Sequence, residues 1–281
     1  MQSNYVRTDL ACEALGSLDS DIDGIKCKSY ALNGLKTEKI AVLTEDAAKK
    51  LGKPVGNYYT LYLDDYISRR SVSFSDSTLA LTEILREMPA FSKSRRFLVA
   101  CLGNRAVTPD SIGPCVSDGI IVTRHLKASL PEDFAAFSEV SVIRPGVLGT
   151  TGIESADAVK AVCASVMPDC VIAVDALAAG EPERLCRNIQ LCDTGISPGA
   201  GVGNDRAELS ESFLGVPVIA VGVPTVIDLA AFSDSPNAKA LFVTPRNIDE
   251  LVKSTSKLIS YGLDLAMHEG LTVEDVDILV E

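Results

Sequence analysis

Short apolar runs alternate along this chain with segments of helical period. Residues 39–44 and 57–63 read as strands, and 78–88 reads as a helix stopped by Pro89. The run 96–103 has the pattern of a buried strand closed by a glycine. The spacing then predicts a helix over about 115–128, a strand at 139–144 and a helix over 154–167. Residues 169–175 form a continuous apolar run, too short for a helix and entered through a turn at Pro168. Strands near 187–192 and 217–222 and a helix over 247–267 complete the pattern.

Strands that are apolar on both faces and separated by helices belong to parallel sheets covered on both sides. The expected fold is therefore α/β: a mostly parallel, doubly wound sheet with helices on both faces, its core sheet spanning 95–270. Residues 1–94 read as extra β and α elements packed on that unit. No internal repeat or low-complexity tract interrupts it.

Composition narrows the function. Of 281 residues, 47% are hydrophobic and 23% charged, the balance of a packed globular protein. The net charge of −12 argues against direct binding to nucleic acid or to an anionic membrane, which both require clustered Lys and Arg. The eight cysteines form no Cys-x-x-Cys pair, and Cys101, Cys163 and Cys170 stand in apolar runs as small core residues. With no signal-like apolar stretch after Met1, this usage predicts a reduced, cytoplasmic protein. Two histidines without metal-ligand spacing argue against a zinc site, and no cofactor is predicted.

Ligands of open parallel sheets bind beyond the carboxyl ends of the strands. Two acids fall there. Asp175 ends the apolar run that begins at 169, and Asp110 lies in the stiff loop from Gly103 to Pro114. The plain alternative is a helix cap for Asp110 and a turn for Asp175. Asp193-Thr194-Gly195 copies the short aspartic-protease signature, but a single copy in an α/β chain is equally an Asx turn. The stretch Pro198-Gly199-Ala200-Gly201-Val202-Gly203-Asn204 lacks both nucleotide-binding fingerprints and suits a tight turn or a peptide groove. His125 reads as a helical residue and His268 as a surface one, and no Gly-x-Ser-x-Gly elbow occurs. Paired carboxylates are what remains.

Longer strings then narrow the field. Arg7-Thr8-Asp9-Leu10-Ala11, Val107-Thr108-Pro109-Asp110, Val122-Thr123-Arg124-His125-Leu126 and the run from Pro145 to Glu154 stand in one order. Val174-Asp175-Ala176-Leu177, Asp193-Thr194-Gly195-Ile196, Gly201-Val202-Gly203-Asn204 and Gly222-Val223-Pro224-Thr225 follow them. Together, from about residue 5 to about 235, they resemble the germination proteases of endospore-forming bacteria.

The resemblance implies an endopeptidase that degrades small acid-soluble spore proteins in the spore core at germination. It implies a zymogen, a homotetramer, and a fold similar to hydrogenase maturation proteases. The family's proposed catalytic aspartates fall on Asp110 and Asp175. One would keep a proton and protonate or polarise the scissile carbonyl while the other takes a proton from water. Family substrates are cut after the acid in a Thr-Glu-(Phe or Ile)-Ala-Ser-Glu pattern, which Thr8-Asp9-Leu10-Ala11-Cys12-Glu13 mimics. This predicts self-cleavage between Asp9 and Leu10, dividing the chain into a propeptide, 1–9, and one peptidase domain, 10–281. A basic group is expected to hold the acid before the cut, with Arg124, Arg144 and Arg206 as candidates. Arg124, Arg144, Asp193 and Gly201 are the candidate groove contacts. A non-catalytic peptide-binding module and a metal-reading maturation protease remain the alternatives.

Overall fold

The computed structural model of the protein describes residues 8–18, 22–68, 71–199, 207–232, 238 and 241–280. Its strands are β1 (Ile25–Leu32), β2 (Leu35–Val42), β3 (Gly56–Tyr62), β4 (Arg96–Cys101) and β5 (Glu139–Ile143). They are followed by β6 (Cys170–Ala179), β7 (Asn188–Cys192), β8 (Val218–Asp228) and the short β9 (Phe242–Val243). One sheet contains them all, in the order β1-β2-β3-β7-β8-β6-β4-β5, with β9 added to β8.

The α/β class and the helices on both faces are as expected, but the sheet is mixed where it was expected to be mostly parallel. Only β5, β4, β6 and β8 run parallel to one another among the described residues. From β8 outward, β7, β3, β2 and β1 alternate in direction. For the outermost pair, β1 and β2, the reason is connection length, since a parallel return requires a long crossover. Between β1 and β2 the link is Asn33-Gly34, both at positive φ, the two-residue turn that suits a twisted hairpin. Residues 25–62 thus extend the same sheet, and β1, whose pattern is mostly polar, went unread in the sequence.

Helices cover both faces. On one, Leu81, Ile84 and Leu85 of the helix Phe74–Glu87 pack with Leu258, Ile259 and Leu263 of the helix Ile248–Met267 over Val99, Ile172 and Val221. A capping box between Ser73 and Asp76 fixes where Phe74–Glu87 begins. The two helices approach closely because position 262 is glycine: a Cβ there would stand 2.7 Å from the Leu81 side chain. On the other face, the helix Ser155–Val166 buries Ala156, Val159 and Cys163 against Leu98, Ala100 and Val171. Beside it, Leu10 and Ala11 pack with the helix Glu45–Leu51 on Val42, Leu177 and Ala179. Full burial of Leu10 contributes about 1.5–3 kcal/mol to holding this N-terminal segment down.

The helix expected over 115–128 is two short ones, Ile112–Val116 and Arg124–Ser129. Gly119 and the β-branched Ile120, Ile121, Val122 and Thr123 disfavour a continuous helix. The chain there takes other bonds: Ile121 N–H donates to the Asp264 carboxyl at 3.0 Å and Thr123 N–H to the Val140 carbonyl at 3.1 Å. A C-terminal helix, Val273–Val280, was not foreseen. Among the described residues, no helix is long and apolar enough to cross a membrane.

His268, read in the sequence as a surface residue, is 1% exposed, because it closes the long helix against Phe137 and the Ile121 carbonyl. Burial depresses its imidazole from the ordinary 6.5 to about 4. Between those values the unfolded chain binds a proton that the folded protein refuses, so stability is retained above 6.5 and lost as pH falls toward 4. Asp264, one turn earlier, has the opposite sign: burial raises its carboxyl, and that stabilisation fades as pH rises through the raised value. Comparing wild type with His268→Gln isolates the imidazole, because both retain Asp264. In urea unfolding the wild type should lose up to roughly 3 kcal/mol relative to the variant between pH 6.5 and 4. Parallel pH curves for the two proteins would refute this.

Candidate active site

β6 outruns its parallel neighbour. β4 ends at Cys101 opposite Val174, and Leu102 N–H adds a last bond to the Val174 carbonyl at 2.8 Å. β6 then continues to Ala179 alongside β8. Asp175 therefore lies within a strand, not at its end as the sequence suggested. It occupies the first position past β4, where the face of the sheet opens, and is 5% exposed.

The chain leaving β4 turns at Gly103, whose φ is +105°. A Cβ at this position would lie 2.1 Å from the Asp110 carbonyl oxygen, so only glycine permits the approach. Asn104 N–H donates to that same oxygen at 2.9 Å, and Asp110 N–H donates to the Val107 carbonyl at 2.8 Å. The loop thus closes on itself and sets Asp110, the last residue of the 3-10 turn Thr108–Asp110, beside the end of β4. Thr225, fully buried on β8, ties the loop to the sheet by donating its hydroxyl to the Pro109 carbonyl at 2.6 Å. Ser111, not Asp110, holds the N-cap position of the helix that follows.

A cavity of about 360 Å³ opens between these elements, and Asp110, Asp175 and Asp9 all line it. Ser155, Thr225 and Thr244 add polar atoms to its wall, while Leu177, Val226 and Phe242 make it largely apolar. The two acids selected in the sequence do meet in one cleft, together with the residue before the expected cut.

The segment Thr8–Glu13 is fixed along the free end of β6. Asp9 N–H donates to the Ala178 carbonyl at 3.0 Å, and the Asp9 carboxyl accepts from Ala178 N–H at 2.8 Å. The Asp9 carbonyl oxygen accepts from Lys53 Nζ and from Gln190 Nε2, both at 2.9 Å. Gln190 Oε1 in turn accepts from Ala11 N–H at 2.6 Å. Further on, the Glu13 carboxyl accepts from Gly180 N–H at 2.7 Å, from Glu181 N–H at 3.1 Å and from the Thr8 hydroxyl. Burial pushes this carboxyl up, and the three donors work against that rise.

Lys53 and Gln190 were not found in the sequence. Neither belongs to a motif; the one signal was a polar side chain inside the wholly buried strand β7. Lys53 follows Gly52, whose left-handed φ of 70° ends the helix Glu45–Leu51, and Lys53 N–H bonds back to Ala48 O at 3.2 Å. Burial pushes its ammonium down, opposed chiefly by the charge of Asp9. Both residues line a second cavity of about 200 Å³ on the far side of Asp9.

The remaining candidates lie elsewhere. Arg124 pairs with Glu139 at 3.3 Å and Arg144 with Asp118 at 2.8 Å, and neither lines these cavities. Asp193 clamps Asn57, accepting from its backbone and side-chain N–H groups at 2.7 Å each, while the adjacent Thr194 and Gly195 line the second cavity. Gly201 and Arg206 lie outside the described residues.

The family model described as germination protease matches residues 7–237. The germination protease of Clostridium tetani (strain Massachusetts / E88) is 37% identical over an alignment of 318 positions, which covers 97% of this chain and 98% of that protein. That of Bacillus cytotoxicus is 39% identical, over 96% of this chain and 76% of the relative. Among solved structures, the [NiFe] hydrogenase maturation protease HycI of Thermococcus kodakarensis KOD1 matches 62% of this chain and 96% of its own, with 18% identity and a TM-score of 0.37. A family match over most of the chain and relatives above one-third identity along nearly its whole length make this chain a protease that belongs to the germination protease family.

Proposed function

We propose that this protein is an endopeptidase that cuts small acid-soluble spore proteins at germination, using Asp110 and Asp175 as a carboxyl pair. The observation that carries this reading is that Asp9, Asp110 and Asp175 line one cavity, with the Asp9–Leu10 peptide bond fixed at its edge.

The two carboxyls share a cleft with apolar walls, where two adjacent negative charges are costly, so one keeps a proton and the other is ionised. The ionised member takes a proton from water as its oxygen attacks the scissile carbonyl, and the neutral member holds the proton that the reaction next requires. Written this way, the chemistry calls on no cofactor or metal.

The same cavity supports a zymogen. Residues 1–9 serve as a propeptide and 10–281 as the peptidase, with the Asp9–Leu10 bond as the first substrate. The Thr8–Glu13 segment carries the acid, apolar, small and acidic positions that family substrates present, and its Glu13 is read by the Gly180 and Glu181 amides. Family relatedness extends the proposal to a homotetramer working in the spore core.

Two measurements test the reading. Asp110→Asn and Asp175→Asn should each lower cleavage of an acid-soluble spore protein by at least ~10³-fold, with circular dichroism and assembly unchanged. Wild-type turnover in either variant sinks the carboxyl pair. Intact-mass analysis of the wild-type protein after self-processing should give a chain beginning at Leu10; a stable start at another residue removes the assigned cut.

A further inference from the structure

The Asp9 carbonyl oxygen has two donors. Lys53 Nζ and Gln190 Nε2 each reach it at 2.9 Å, within the range of the paired donors that hold a developing oxyanion. From this geometry we propose that Lys53 and Gln190 are catalytic residues that bind the oxygen of the scissile carbonyl. They act at Asp9 during self-processing and at the residue before the cut in a substrate protein. The proposal rests on the reading that the Asp9–Leu10 bond is the one cut.

Sheet register supports it. Gln190 pairs with Gly222 of β8, and Gly222 pairs with Asp175 of β6, so the three form one row across three strands. Residues in one row project to the same face, which puts the Gln190 amide and the Asp175 carboxyl on one side of the sheet, about 10 Å apart at their backbones. Between them stands a glycine, a position with no side chain of its own, over which the Leu177 side chain folds. A peptide laid across this row meets an acid on one flank and an amide donor on the other.

Gln190 does more than donate. Its Oε1 accepts from Ala11 N–H while its Nε2 donates to Asp9, so one planar amide grips the chain on both sides of Leu10 and fixes the plane of the bond before it. Lys53 also touches the Thr8 carbonyl at 3.3 Å, which aims its ammonium along the same stretch of backbone. Both contacts are to main-chain atoms, so they serve any substrate sequence.

The step balances without another reactant. As the water oxygen bonds to the carbonyl carbon, its proton passes to the ionised carboxyl of the pair. The carbonyl π electrons move onto the oxygen facing Lys53 and Gln190. When that oxygen reforms its double bond, the C–N bond breaks, and the leaving nitrogen takes a proton from a protonated carboxyl. The products are the new carboxyl terminus at Asp9 and the free amine of Leu10. With two donors already on the oxygen, the neutral aspartic acid keeps its proton for the leaving amine.

The test uses the processed form, residues 10–281, with wild type and variants each released from a fusion partner to begin at Leu10, and a synthetic peptide of residues 4–16. Lys53→Met removes the ammonium, Lys53→Arg keeps a cationic donor, and Gln190→Glu keeps the acceptor for Ala11 but replaces the donor. Lys53→Met and Gln190→Glu should each lower kcat ~10²–10³-fold with KM changed less than ~10-fold, and Lys53→Arg should recover most of the loss. Wild-type kcat in Lys53→Met and Gln190→Glu, or a change confined to KM, overturns the proposal. If Lys53→Met does not fold, Gln190→Glu decides alone. Failure of the underlying reading looks different: the wild-type enzyme would cut the peptide at another bond, or Asp175→Asn would cut it normally.

Discussion

An unequal pair of strands governs this molecule. β6 extends past the end of β4, and the backbone groups it exposes there must find partners or remain unsatisfied. Ala178 shows how the need is met: its carbonyl takes Asp9 N–H and its N–H takes the Asp9 carboxyl. The N-terminal segment is thus bound at the point where the sheet would otherwise present an open edge. That vacancy also explains Asp175. Had β4 been longer, its pairing and the side chains above it would have narrowed the cavity that Asp175 and Asp110 both line.

Packing and polarity divide the work of holding that segment. Leu10 and Ala11 are buried with Val42, Leu51 and Leu177, which supplies attraction without orientation. Direction comes from hydrogen bonds: Ala178 and Lys53 before the Asp9–Leu10 bond, Gln190 across it, and the Gly180 and Glu181 amides on Glu13 after it. A buried carboxylate such as Glu13 is tolerated only with donors around it, and two of these are main-chain amides fixed by the turn that ends β6. Register along the segment is therefore set at both ends.

Much of this was legible in the sequence. The runs that became β4, β6 and β8 are apolar on both faces, and a pattern of that kind leaves little choice of architecture. Asp110 could be found because Gly103 and the two prolines mark its loop as special. What stayed hidden depended on partners distant in sequence. The end of β6 looked like Asp175 because an acid closes the apolar run, yet pairing with β8 carries the strand on to Ala179. His268 looked exposed beside Glu269 and Gly270, and it is buried by partners far away in the chain, the Phe137 ring and the Ile121 carbonyl. Lys53 stands at the end of a short helix amid polar residues, where nothing in the local pattern hints at a carbonyl contributed by residue 9.

Two groups of polar side chains withdrawn from solvent differ in their surroundings. Asp264 and His268 sit in solid packing: each retains an atom without a hydrogen-bond partner, and neither lines the two cavities described above. Their polarity is a cost borne by the fold, expressed as raised and lowered proton affinities that partly offset one another across the acid range. Asp175, Glu13, Gln190 and Lys53 form the other group, and these gather around one stretch of main chain between two openings. A cation pushed toward neutrality by burial, yet held by the charge of Asp9, is poor economy for stability alone, since apolar side chains of similar size would pack there at less cost. Departures from good packing that converge on a single peptide bond are what the proposed cut between Asp9 and Leu10 requires.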